Sequence, residues 1–379
     1  MNIQLNLYST LLLFGVWHGL LFAVLLFVRA YIQGRLSDFL FGALLCCSVL
    51  TVVPYMLGFM GIPILWRELL FFPADPGLLV GPIIYFYLVS QTNAQFYFRR
   101  RDAWHLLPFG LYFCYHLLVF AQGTKFVQYW IAEVDLPYLN TPFQVLTLFS
   151  NYLYLYATLR HFRRYRRWID AEYADTDRIK LTWYLLFLYC IFFIITLSWI
   201  FNLLDVLGWN LTYAQNWWQY FGVSIITFFL STYSYTQIQY IYLRFEPDLV
   251  ADEPNRTLQL SEQETARWVS QINHLMEKES LYLQQELSLS DLAKKLKTNN
   301  QVISHVINTG LKKNFNQFVN EYRFAAFQEK LKDPKNRQLT LLAIAFDCGF
   351  NSKATFNRVC KKITGLTPRD LLDAPSSPK

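Results

Sequence analysis

Charge is what this sequence has least of. Asp, Glu, Lys and Arg make up 16% of the 379 residues, against 54% hydrophobic and 18% aromatic. Soluble domains carry roughly 25% charged residues, so an ordinary soluble fold is excluded for most of the chain. Cysteine is scarce too: there are six, with no CxxC and no Cys/His pair at ligand spacing. That supports neither zinc nor a disulfide framework. Cys46, Cys47, Cys114 and Cys190 fall in apolar runs, and Cys348 and Cys360 fall in C-terminal helical patterns, so all six read as buried thiols. No cofactor and no metal is expected. The final apolar run holds no Lys for a Schiff base, and His18, His105 and His116 are not paired as haem ligands. The first apolar run has neither a basic leader nor a small-residue cleavage site, so it does not read as a cleavable signal peptide. No stretch fits a kinase or receiver domain.

What is present is a series of seven apolar runs, each compared with the roughly 20 residues that cross a bilayer as helix. They span about Leu7–Val28, Phe39–Met60, Gly77–Val89, Trp104–Ala121, Phe143–Leu159, Leu181–Leu204 and Trp217–Leu243. The third is the weakest, because Pro82 interrupts it. Basic residues fall in alternate connections: Arg29 and Arg35, then Arg99 to Arg101, then Arg160, Arg163, Arg164, Arg166, Arg167, Arg178 and Lys180. The opposite connections hold only Arg67 and Lys125. The positive-inside rule therefore puts the N-terminus outside and the C-terminus in the cytoplasm. Trp199, Trp209, Trp217 and Trp218 fit an interfacial aromatic belt. His116, Asn151, Asn202 and Asp205 are polar at or near membrane depth, where polar groups are costly and face the bundle interior. They either line a ligand pocket or hydrogen-bond neighbouring helices.

The chain changes character after Arg244. Glu246, Pro247, Asp248, Asp252, Glu253 and Pro254 make an acidic stretch unsuited to continuous helix. This divides the chain into a membrane bundle (1–245), a linker (246–260) and a C-terminal domain (261–379). From Ser261 onward there are 18 Lys and Arg against 12 Asp and Glu, so +6 of the total +7 sits there. A basic domain suits an anionic partner, nucleic acid or lipid headgroups.

Two helix pairs follow an amphipathic helix over Glu262–Glu279. In the first pair, Ser288 caps a helix that buries Leu289, Leu292, Ala293 and Leu296. After a turn at Lys297–Thr298, a second helix turns Ile303, Val306 and Ile307 inward and Asn300, Gln301, Ser304, His305 and Asn308 outward. A connecting helix carries Phe315, Phe318, Val319, Tyr322 and Ala326. In the second pair, Thr340 caps a helix that buries Ile344 and Ala345, and Gly349 suits a left-handed turn. The next helix, capped by Asn351 or Ser352, faces Phe356, Val359, Cys360 and Ile363 inward and Lys353, Asn357, Arg358 and Lys361 outward. A short helix, a tight turn and a second helix with outward hydrogen-bonding residues is the helix-turn-helix pattern.

IAFDCGFNSKATFNRVCKKITGLTP, with NFNQFVNEYRFAAF before it, resembles the DNA-binding domain of AraC/XylS-type transcription regulators. The resemblance covers Leu275 to Leu372, about a quarter of the chain. It departs at Cys360, where the family usually has Phe, and at Lys312, where many members have Gly. It implies a bacterial regulator whose two recognition helices enter successive major grooves. By position, Asn300, Gln301, Ser304 and His305 would read the first groove, and Ser352, Lys353, Asn357 and Arg358 the second. Lys312, Lys313, Arg323, Lys361 and Lys362 would contact phosphate, with a structural role for Arg323 as the alternative.

The expectation is thus an all-α, polytopic, non-enzymatic regulator of the inner membrane that binds promoter DNA in response to a small-molecule or membrane signal. Dimerisation through the membrane helices fits this layout, and RNA polymerase is a candidate partner. The rivals are a membrane enzyme or transporter with a regulatory domain, and a bundle that only anchors.

Overall fold

A computed structural model describes residues 5–176, 179–209, 211–236, 245, 260–336 and 338–373. The expected linker at 246–260 and the end of the seventh run therefore lie almost wholly outside the described residues. Regular structure among these is helical, apart from one isolated bridge between Tyr173 and Ser288. The chain divides into two compact units. One comprises residues 1–162 and 182–245, the other residues 163–181 and 246–379.

The first unit holds seven principal helices: α1 (Leu7–Gln33), α2 (Leu36–Phe59), α3 (Gly77–Thr92), α4 (Leu107–Phe120), α5 (Asn140–Glu172), α6 (Thr182–Leu204) and α7 (Tyr213–Thr236). α5 starts in the first unit and ends in the second. Each apolar run of the sequence falls on one of these helices. Four segments are long and apolar enough to cross a membrane: α1, α2, α6, and α4 with the 3-10 turn before it. α3 is apolar but has only 16 residues, and it continues through Pro82.

Local chemistry fixes the ends. Asn6 caps α1 by accepting from Ser9 N at 2.9 Å, and Gly34 ends it at φ +64. Small residues let the helices close: Gly15 lies against Ser224, and Gly19 against Val49 and Thr227. Leu12, Val16, Val49, Val52, Met56 and Val223 form a shared core of α1, α2 and α7. At one end of the bundle, Arg29 grips Asp38 with two bonds of 2.7 Å, donates to Tyr235 O at 2.6 Å and lies over the Tyr235 ring.

The surface of this unit is inverted relative to a soluble protein. Phe14, Trp17, Phe149, Leu186 and Phe193 are exposed, whereas Ser9, Asn151, Thr158, Gln219 and Ser231 are buried. Apolar side chains outward and polar ones inward suit a hydrocarbon solvent. Cys114 also faces outward and Cys46 and Cys190 are half-buried, contrary to the expectation that all six thiols are buried. On a lipid-facing helix an outward Cys is simply another apolar side chain.

The second unit holds α8 (Glu262–Glu277), α9 (Leu289–Lys295), α10 (Asn300–His305), α11 (Phe315–Lys332), α12 (Leu341–Asp347) and α13 (Lys353–Thr364). Reciprocal Ser–acid capping boxes start α8 (Ser261, Glu264) and α9 (Ser288, Asp291). Asn299, Asn314, Thr340 and Ser352 cap the next four by accepting a backbone N–H. Phe315, Phe318 and Val319 of α11 enter one core with Ile272, Leu292 and Ile303, while Phe324 and Phe327 enter another with Ile344 and Phe356. α11 is thus the spine on which both helix pairs are built.

Candidate nucleic-acid interface

The two helix pairs share one turn. In the first, Lys297 N donates to Lys294 O at 3.2 Å and Thr298 N to Ala293 O at 2.9 Å. In the second, Gly349 N donates to Phe346 O at 3.0 Å and Phe350 N to Ala345 O at 3.2 Å. Ala293 and Ala345 are both buried at the closest helix approach. Each turn demands a left-handed residue: Lys297 at φ +52 and Gly349 at φ +91. Glycine is obligatory at 349, because a Cβ there would lie 2.4 Å from Tyr282 O. Lys312, where many family members have Gly, also stands in the left-handed region at φ +53.

Past each turn, a short helix presents polar residues. On α13, Lys353, Asn357, Arg358, Lys361 and Lys362 are exposed while Phe356, Val359 and Cys360 are buried. Ile363, expected inward, is 46% exposed, since it lies in the last turn beyond the edge of the core. On α10, Gln301 is exposed and Ser304 and His305 are half-buried. Lys312 is exposed, and Lys313 pairs with Glu321 of α11.

Two site residues expected on the DNA face are placed differently. Arg323 has no exposed surface, so it cannot reach a phosphate. Its guanidinium donates to Tyr282 O at 2.8 Å and Gln284 O at 2.7 Å, with longer bonds to Gln285 O and Asn320 Oδ1. Burial lowers its pKa to about 10, and the nearby Asp175 carboxylate opposes that shift. Arg323 is the bolt that ties α11 to the segment before α9. Ser352 is engaged as the cap of α13, accepting from Thr355 N at 3.0 Å and donating to Thr355 Oγ1 at 3.0 Å.

Residues 163–181 fold with the C-terminal unit. Ala174 is fully buried in the core of the first helix pair, beside Leu287, Leu292 and Phe315. Its N–H donates to Leu287 O at 3.1 Å, and its carbonyl accepts from Asn316 at 2.6 Å and Asn320 at 2.9 Å. The Glu172 carboxylate accepts from Ser290 N at 3.2 Å and from Asn300 Nδ2 at 3.1 and 3.2 Å. Asp175 accepts from Thr355 Oγ1 at 2.9 Å. This strap therefore holds both helix pairs, and in the first it occupies Asn300, one of the expected base-reading residues. Burial raises the Glu172 pKa to about 7, opposed by its bonds to Ser290 and Asn300. The available signal was the pair Asn316 and Asn320, polar residues one turn apart on a helix face that is otherwise buried.

In the first unit, three of the four expected pocket residues, His116, Asn151 and Asn202, line one cavity of about 360 Å³. The side chain of Asp205, the fourth, lies outside the described residues.

Comparison with curated proteins and with solved structures returns no match. A family model described as a helix-turn-helix domain matches residues 292–374. That range runs from within α9 past the end of α13 and takes in both turns. The C-terminal region is an AraC-type helix-turn-helix domain, joined to an N-terminal region with four helices apolar and long enough for a membrane.

Proposed function

We propose that this protein is a membrane-bound one-component transcription regulator that binds promoter DNA sequence-specifically. The observation that carries this reading is the pair of identical turns, each followed by a short helix with outward hydrogen-bonding side chains. α10 and α13 enter successive major grooves. Gln301, Ser304 and His305, with Asn300 once released, read the first groove, and Lys353, Asn357 and Arg358 the second. Asn reads adenine bidentately, and Lys or Arg reads guanine. Lys312, Lys313, Lys361 and Lys362 hold phosphate, which fixes register without specifying sequence.

The bundle crosses a bacterial inner membrane seven times, with the N-terminus outside and the DNA-binding domain in the cytoplasm. The alternation of basic connections supports this orientation. α3, α5 and α7 complete the crossings. The bundle senses a signal, and the strap passes it on. α5 contains the fifth crossing and ends at Glu172, so a change in the position of α5 loads or releases the contact on Asn300. A ligand can drive this only by favouring one arrangement over the other.

The test is crosslinking of the full-length protein to DNA in its host, followed by sequencing. A few sharp peaks support a site-specific regulator. No enrichment from protein shown to be in the membrane overturns the reading.

A further inference from the structure

The cavity among α2 to α7 has a chemistry that points to its occupant. Ile191, Ile194, Trp199 and Val223 give it apolar lining. Asp75, Asp135, Asn151 and Gln219 give it polar lining, and no Lys or Arg is among the described lining residues. Asn151 is 8% exposed, and its Nδ2 donates to Gly77 O at 3.2 Å. That bond fixes the amide orientation and leaves the buried Oδ1 with no partner. A buried polar atom without a partner costs about 1–3 kcal/mol, so an unpartnered oxygen on a residue that lines the cavity marks a place for a hydrogen-bond donor.

The neighbouring groups agree in sign. Asp135 is buried and accepts from Tyr115 Oη at 3.1 Å, which leaves further acceptor capacity. Asp75, at the exposed rim, accepts from Gly77 N at 2.9 Å. His116 Nδ1 lies 3.1 Å from Tyr112 O, a carbonyl that can only accept, so the neutral ring carries its proton on Nδ1 and Nε2 is an acceptor. The cavity thus gathers acceptors and two carboxyl groups, with no Lys or Arg among its described lining residues. Its volume is within the roughly 300–1,000 Å³ of small-molecule sites, far above what one ion or water needs. No three metal-ligating side chains converge among the described residues.

We infer that this cavity binds a small organic cation with N–H donors, its ammonium facing Asp75, Asp135 and Asn151 and its apolar portion against Ile191, Ile194 and Trp199. The lining uses the start of α3, the first half of α5, the end of α6 and the start of α7, so the site sits at one end of the bundle. In the proposed orientation that end faces outside. The inference rests on the reading of the bundle as a sensor and supplies the class of signal. The ammonium comes either from a free amine or from an ethanolamine lipid headgroup.

The experiment uses full-length protein in phosphatidylglycerol nanodiscs, with 2-phenylethylamine, phenylacetate and 2-phenylethanol as probes and thermal unfolding and titration as readouts. A second disc preparation adds phosphatidylethanolamine. The amine should raise the melting temperature where acid and alcohol do not, or phosphatidylethanolamine should do so and block the amine, which assigns the same site to a lipid headgroup. Asp135→Asn and Asp75→Asn should each weaken the effective cation about tenfold or more, the scale of a charge-assisted bond. Their unliganded melting curves control for folding. Equal stabilisation by the alcohol or acid, no stabilisation by either ammonium, or unchanged affinity in both variants overturns the inference. Promoter occupancy measured alongside separates the two readings. Binding without any change in occupancy counts against sensing and leaves the site intact. Occupancy that responds to another stimulus while no ammonium binds overturns the site alone.

Discussion

The two helix pairs have the same turn hydrogen bonds, yet they are held differently. In the second, the turn residue is a glycine, and Lys353, Asn357 and Lys361 are exposed. In the first, the turn residue is a strained lysine, Ala174 of the strap is part of the core, and Glu172 holds Asn300. The strap also touches the second helix pair, but at Thr355, a buried residue behind the reading face. In the proposed function, the second helix pair therefore provides standing affinity and the first is open to regulation.

Substitutions in each helix pair test this contrast. Asn357→Ala with Arg358→Ala has the largest expected effect. Each base contact is worth about 1–3 kcal/mol, so specific binding should fall by about 100-fold or more while binding to random duplex persists. A gel shift with both DNAs checks this, and full retention of specificity would remove α13 as a reader. Next is Arg323→Met, which leaves the carbonyls of Tyr282 and Gln284 without their donor. The C-terminal compact unit should lose about 3 kcal/mol, read by hydrogen exchange in the full chain. A phosphate contact would instead leave exchange unchanged and reduce the salt dependence of binding by about one ion.

Glu172 gives a pH test with a definite sign. Its docked pKa is raised from 4.5 to about 7, so docking favours the protonated form. The corresponding stability is fully present below about pH 4.5 and is lost as pH rises through about 7. Exchange protection at 287–292 should therefore fall between about pH 4.5 and 7, and Glu172→Gln should abolish that dependence. The smallest effect is at the turn. Lys297→Gly should stabilise the first helix pair by about 1 kcal/mol, the cost of a left-handed non-glycine residue. Calorimetry of the full chain reads this, and no gain would mean the Lys297 side chain contributes as much as its backbone costs.

What the sequence disclosed follows the range of the interactions. Caps, buried alanines and the glycine turn are local, so both helix pairs were legible within a few residues of where they lie. The apolar runs located seven helices for the same reason. Arg323 was read as a phosphate contact with a structural role as the alternative, and only packing decides for the structural one, because it buries the guanidinium. The strap was missed, since the Glu172–Asn300 contact joins residues 128 apart and only Asn316 and Asn320 on a buried helix face pointed to it. The cavity was half legible. His116 and Asn151 stand out in apolar runs, but Asp75 and Asp135 lie between runs, where carboxylates are ordinary.

The most direct test of the contrast is a guanine-protection footprint on a bound promoter, comparing full-length wild type in nanodiscs with Glu172→Ala. We predict two protected patches about one helical turn apart, with the Glu172→Ala protein protecting the patch read by α10 more strongly and the other patch unchanged. Equal protection of both patches by wild type, unaltered in Glu172→Ala, would contradict a held first helix pair.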